Sequence, residues 1–208
     1  MVTESGRYVL KLQKNLYGLK QSGQNWFEKL SSALGNLSIN PSKVDPCVFV
    51  GDDIFVLVYV DDCLIFSQEK DKINQLIDKL NNKEKLDLTD EGDVDKYLGV
   101  EIERNKEDKS ITFNQTFLIQ RPIELSGLID SNQVDIPAVN PPLSKDLEGA
   151  SQTSTWEYQL IIGLLNYISG SSRPDNAYVT HSAARFSANP KASHDKGVKR
   201  IIKYLKGD

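Results

Sequence analysis

Two runs of β-forming residues, Ile54-Phe55-Val56-Leu57-Val58-Tyr59 and Cys63-Leu64-Ile65-Phe66, are separated only by Val60-Asp61-Asp62. That pattern predicts a hairpin of two buried strands with carboxylates at its tip. Successive side chains on a strand point to opposite faces, so Asp61 and Asp62 do not converge equally on one ion. One carboxylate can enter a cleft as a ligand while its neighbour supports it. Mg²⁺ takes hard oxygen ligands and is commonly held by one or two carboxylates together with substrate phosphates, so such a tip suits nucleotide chemistry. The competing reading is a solvated turn, for which Asp is a preferred residue. Against it, the strongly apolar flanks would bury both strands around charges that could sit elsewhere at less cost.

The rest of the chain is that of an ordinary globular protein. Its 208 residues are 39% hydrophobic and 26% charged, enough to bury a core and too mixed for collagen, coiled coil or wholesale disorder. Net charge is −4, so an overall basic coat is absent and a polyanion would have to meet a local patch. Residues 68–110 hold 9 basic and 13 acidic side chains and carry most of the negative excess. By contrast Lys191, Lys196, Lys199, Arg200, Lys203 and Lys206 crowd the C-terminal end, opposed there by Asp195. Two cysteines, Cys47 and Cys63, point to a reducing, intracellular setting, and no signal peptide or membrane span is expected.

Trp26, Phe27, Leu30, Leu34 and Leu37 recur at helical intervals and predict a helix over about 22–36, and Ile73, Leu76, Ile77 and Leu80 predict another. A second hairpin is expected from Lys96–Arg104 and Ser110–Asn114, then a helix from Phe117 to Leu128 with Pro122 placed early in it. Residues 135–155, rich in Pro, Ser and Asn, read as a linker. Three helices follow, about 156–170, 174–187 opening at Pro174, and 194–206. In the last, Val198, Ile201, Ile202 and Leu205 form a docking stripe, with Lys196, Lys199, Arg200 and Lys203 on another side. That basic stripe is either a helix's solvent face or a contact for nucleic-acid backbone. His181 and His194 show no zinc spacing.

With these residues in hand, the chain resembles the reverse transcriptases of copia-type retrotransposons. Tyr59-Val60-Asp61-Asp62 matches their metal-binding tetrad, and Leu16-Tyr17-Gly18-Leu19-Lys20-Gln21, followed by Trp26 and Phe27, resembles their nucleotide- and template-contacting segment. Lys96-Tyr97-Leu98-Gly99-Val100-Glu101-Ile102 resembles their primer-contacting hairpin. Ile162–Ile168, Ser172-Arg173-Pro174-Asp175 and Lys199–Gly207 are similar to the segment leading toward ribonuclease H. The resemblance implies an α+β fold, a partial right-hand polymerase palm of antiparallel sheet and helices followed by a small helical connection segment. In residues, that is 1–134 for the palm and thumb-side region, 135–155 for the linker and 156–208 for the connection.

The implied function is RNA-directed DNA polymerisation within a Pol polyprotein, on RNA template, DNA primer and dNTPs, with a Mg²⁺ pair at Asp61 and Asp62. Tyr17, Gly18, Lys20, Gln21 and Tyr59 would meet nucleotide or template, and Leu98 and Gly99 the primer. Lys196, Lys199, Arg200 and Lys203 would meet nucleic-acid backbone. Each keeps its plainer alternative: Gly18 a turn, Tyr17 a core aromatic, Lys20 a solvated charge. The implied setting is cytoplasmic, in a virus-like particle, or nuclear, with a link to DNA integration and none to a membrane.

Three departures shape the expectation for activity. Glu4 is the sole acid before Leu16, where the family carries a further aspartate on an earlier strand. Ser22-Gly23-Gln24-Asn25 replaces an Ala-Pro-Arg-Ala type run, and the ribonuclease H acidic cluster is missing after Gly207. The expectation is a truncated chain, inactive by itself, or a catalytically silent remnant that at most binds nucleic acid.

Overall fold

The computed structural model describes residue 12, residues 15–152 and residues 154–207. Glu4 lies outside the described residues. The chain divides at Gly92/Asp93 into two units, each with its own core. This division falls well ahead of the boundary expected at residue 134.

In the first unit, helix α1 (Ser22–Asn36) buries Leu30, Ala33 and Leu34, with Trp26 and Phe27 half-buried beside them. It ends where Ser38 turns left-handed (φ 64°), with Ser38 N–H donating to the Gly35 carbonyl and Ile39 N–H joining Leu37 N–H on the Leu34 carbonyl. Strands β1 (Asn40–Pro41), β2 (Val48–Gly51), β3 (Ile54–Tyr59) and β4 (Asp62–Phe66) follow as an antiparallel sheet in that order. Helix α2 (Lys70–Asn82) closes the unit with Leu76 and Leu80 buried.

Phe49, Val56 and Val58 from one face of the sheet join those helix residues in the core, while Phe55, Tyr59 and Phe66 on the other face stay 50%, 54% and 42% exposed. The hairpin strands are thus half-buried, not buried on both faces as the continuous apolar run suggested.

The second unit opens with β5 (Lys96–Tyr97), β6 (Val100–Asn105) and β7 (Ser110–Asn114), an antiparallel sheet in chain order. Helix α3 (Thr116–Leu125) ends three residues before the expected limit, because Gly127 turns left-handed (φ 67°) and Leu128 N–H caps the Ile123 carbonyl. Pro122 stands in its second half, not early. There its missing N–H leaves the Leu118 carbonyl without the donor a helix normally supplies four residues on, a cost that a place in the first turn would have avoided.

Helix α4 (Tyr158–Ser171), a 3₁₀ turn (Pro174–Asn176), α5 (Ala177–Ala184) and α6 (Ala192–Leu205) complete the unit. The helix expected over 174–187 is therefore split in two. Ile161, Leu165 and Ile168 of α4 and Val198, Ile201, Ile202 and Leu205 of α6 form the centre of its core, where Ile123 of α3 also packs. That shared core is why α3 belongs with the C-terminal helices, and a hydrogen bond from the Tyr167 hydroxyl to the Leu98 carbonyl ties the second hairpin to α4.

The described residues of 135–155 contain no helix or longer strand, yet they are tied to α6 and its approach. Ser151 bridges Lys191, and Ala192 N–H donates to the Ala150 carbonyl at 3.0 Å. His194, buried and stacked on Phe186 (centroids 4.0 Å apart), has Nε2 3.0 Å from the Ser144 carbonyl, while its Nδ1 accepts from the Lys191 N–H. The ring therefore carries its proton on Nε2 and does a structural job.

Candidate active site

β3 and β4 pair in register from Phe55↔Phe66 to Tyr59↔Asp62, leaving Val60 and Asp61 as a two-residue turn. Asp62 is thus the first residue of β4, across from Tyr59 on the exposed face, and Asp61 occupies the bend itself. Both carboxylates are exposed, and neither makes a hydrogen bond or ion pair among the described residues. No group of three His, Cys, Asp or Glu that could hold a metal occurs among the described residues. Two exposed carboxylates at one tip are oxygen donors of the kind a hard divalent ion takes.

The turn is held in an unusual conformation. Val60 has φ 54°, a region that costs an L-residue about 1–2 kcal/mol and suits a β-branched side chain least. Its carbonyl accepts a hydrogen bond of 2.8 Å from the indole Nε1 of Trp26, so α1 pins the bend that carries Asp61. Beside it, burial and then the charges of Asp62 and Asp61 push the Cys63 thiol up from its ordinary range.

The loop before α1 bears the expected nucleotide and template contacts. Gly18 has φ 86°, a conformation that calls for glycine, with open space where a Cβ would stand. Ser22 Oγ closes the loop by donating to the Leu16 carbonyl at 2.6 Å. Tyr17 is 90% exposed, which removes the alternative of a core aromatic, and Lys20 and Gln21 are exposed as well. Among the described residues none of the three bonds to Asp61 or Asp62. What joins this element to the tip is Trp26, whose role sequence reasoning missed although the residue stood in the quoted motif.

The second unit repeats the device. Leu98 (φ 50°) and Gly99 (φ 78°) form the two-residue turn between β5 and β6, and both left-handed values match the tight turn that suits a hairpin's twist. The Leu98 carbonyl accepts from the hydroxyl of Tyr167 on α4. A half-exposed aromatic with a polar tip on a helix is the signal that could have found both donors. On α6, Lys196 is exposed, and Lys199, Arg200 and Lys203 are half-buried.

Fold and tip define an α+β protein that presents exposed carboxylates on a pinned hairpin, an arrangement suited to divalent-ion chemistry on phosphates. Residues 2–140 match the family model of reverse transcriptase (RNA-dependent DNA polymerase). The chain is 31% identical over 210 residues to the retrovirus-related Pol polyprotein from transposon TNT 1-94 of Nicotiana tabacum, and 30% identical over 204 residues to that from transposon RE1 of Arabidopsis thaliana. Each alignment covers 96% of this chain, and the chain spans 16% and 14% of those relatives' lengths. No solved structure matches it. The chain belongs to the reverse transcriptase family, in the copia-type branch carried by retrotransposon Pol polyproteins.

Proposed function

We propose that this chain supplies the metal-binding hairpin of an RNA-directed DNA polymerase that extends a DNA primer on an RNA template within a Pol polyprotein. The observation that carries the reading is the exposed carboxylate pair on a strained turn pinned from α1. Asp61 would hold Mg²⁺, with Asp62 as the weaker partner because it starts the next strand. A Mg²⁺ pair held by Asp61 and Asp62 would supply activation of the primer hydroxyl and charge neutralisation of the leaving pyrophosphate. Tyr17, Gly18, Lys20, Gln21 and Tyr59 serve the incoming nucleotide and template, Gly18 by letting backbone approach closely. Leu98 and Gly99 seat the primer on the turn fixed by Tyr167, and the basic stripe of α6 meets nucleic-acid backbone.

Two carboxylates hold a divalent pair weakly, because charge count and preorganisation set affinity. The isolated chain is accordingly silent, and acts with the rest of the polyprotein. No helix of the described residues is long and apolar enough to cross a membrane, and the proposed place of work is inside the cell with its nucleic-acid substrates.

The test replaces the matching segment of the RE1 Pol polyprotein with this chain and measures primer extension on RNA, beside the isolated chain. Expected are extension by the chimera that Asp61→Ala abolishes, and none by the isolated chain above its own Asp61→Ala control. A folded chimera without extension would overturn the enzyme reading in favour of a silent remnant.

A further inference from the structure

Lys196, Lys199, Arg200 and Lys203 follow the i, i+3, i+4, i+7 spacing that lines up neighbours on one helix face. Among the described residues none of the four is in an ion pair. Lys206, one turn on, is already spent: its Nζ donates to the carbonyls of Ser131 (2.6 Å) and Ile129. The preceding strand of chain lies alongside these four. Val134 N–H donates to the Lys203 carbonyl at 3.4 Å, and Arg200 Nε donates to the Ile136 carbonyl at 2.9 Å.

Between them is a furrow of about 370 Å³ lined by Val134, Val139, Lys196, Lys199, Arg200 and Lys203. Its floor is valine and the aliphatic stems of the long side chains, and its charge is carried on the heads of those side chains. Apolar floor with cationic rim matches one kind of ligand part, a flat apolar ring joined to phosphate. The volume lies in the range of small-molecule sites. Arg200, tethered through Nε, keeps its guanidinium plane oriented, and such planes stack on unpaired bases. From residue 196 to 203 the helix advances about 10 Å at 1.5 Å per residue. Lys196, Lys199 and Lys203 therefore set their charges in a row along that length.

We propose that the furrow between residues 134–139 and α6 binds a single strand of nucleic acid, one base lying against Val134, Val139 and the Arg200 plane, with successive phosphates on Lys196, Lys199 and Lys203. A duplex keeps its bases stacked inside and can offer only its phosphates, so the furrow favours single strands. The inference rests on the reading above for the class of ligand only, and not on the polymerase chemistry.

The experiment is fluorescence anisotropy of the full chain with a labelled 12-nucleotide single strand, in EDTA so that the Asp61–Asp62 tip plays no part. A blunt duplex and polyglutamate serve as competing probes. For three phosphate contacts on a single strand the affinity falls about 18-fold between 50 and 200 mM salt, from a slope of about −0.7 per phosphate contact. The variant Lys199→Gln/Lys203→Gln narrows that fall to about 3-fold by the same slope. Lys83→Gln/Lys106→Gln, which removes equal charge elsewhere, leaves it unchanged, and Val139→Asp weakens single-strand binding more than it weakens duplex binding. Equal affinity for duplex, equal loss in the Lys83/Lys106 control, or preference for polyglutamate would each overturn the proposal. Single-strand binding in EDTA alongside an inactive chimera would leave the furrow standing and the polymerase reading fallen.

Discussion

Removing the indole donor by Trp26→Phe leaves the ring's apolar contacts largely in place and deletes the 2.8 Å bond to the Val60 carbonyl. A net hydrogen bond of this kind contributes about 0.5–1.5 kcal/mol. The left-handed Val60 conformation costs about 1–2 kcal/mol, so bond and strain are of one size and the turn is held near balance. Losing about 1 kcal/mol should raise local opening at the hairpin tip about fivefold, since a tenfold change corresponds to about 1.4 kcal/mol. Amide hydrogen exchange at the Tyr59↔Asp62 pair reads this directly, with the Phe49 amide as an internal reference in the same sheet.

The reverse perturbation is Val60→Gly. It relieves the φ strain and adds back about 0.4–1 kcal/mol of unfolded-state entropy, so exchange at the tip should stay level or slow slightly. Faster exchange by more than tenfold in Val60→Gly, or unchanged exchange in Trp26→Phe, would refute the claim that the indole holds a strained turn.

Further outcomes follow from the same chemistry. Asp175 is held down to about 2, first by hydrogen bonds from Arg173 and further by the Tyr204 hydroxyl. Its folded carboxyl lies below its unfolded value, so its stabilisation is present above about pH 4 and fades as pH falls toward 2. The thermal midpoint difference between the chain and Asp175→Asn should close over that window. Cys63, raised by burial and its carboxylate neighbours, should alkylate slowly with iodoacetamide at pH 8.5, and Asp62→Asn should speed the reaction, measured by mass spectrometry. Gly127→Ala has room for its Cβ but not for its backbone angle, and should cost about 1 kcal/mol in thermal unfolding of the second unit.

Much of the framework was legible because apolar spacing reports it. The period of Leu30 and Leu34 marked α1 at its true limits, and the runs flanking Val60-Asp61 marked β3 and β4. Strand β2 escaped because Val48–Gly51 is four residues long between a proline-bearing turn and a glycine, too short for a period to show. The attachment of residues 135–155 escaped for another reason. It runs through backbone groups such as Ala192 N–H to the Ala150 carbonyl, and backbone bonds leave no side-chain pattern.

At the site, the residue types were readable and their support was not. Asp61 and Asp62 stood out by their flanks, whereas Trp26 and Val60 meet across 34 residues and Tyr167 and Leu98 across 69. Left-handed φ at a valine or leucine has no signature in composition, since those residues normally avoid it.

The central claim is that Asp61 and Asp62 are the divalent-ion ligands, and paramagnetic broadening by Mn²⁺ in a ¹⁵N-labelled sample tests it most directly. The account predicts that substoichiometric Mn²⁺ broadens the amides of Tyr59 to Cys63 first, that excess Mg²⁺ reverses the effect, and that Asp61→Ala abolishes it. Broadening centred elsewhere, or unchanged in Asp61→Ala, would contradict the account.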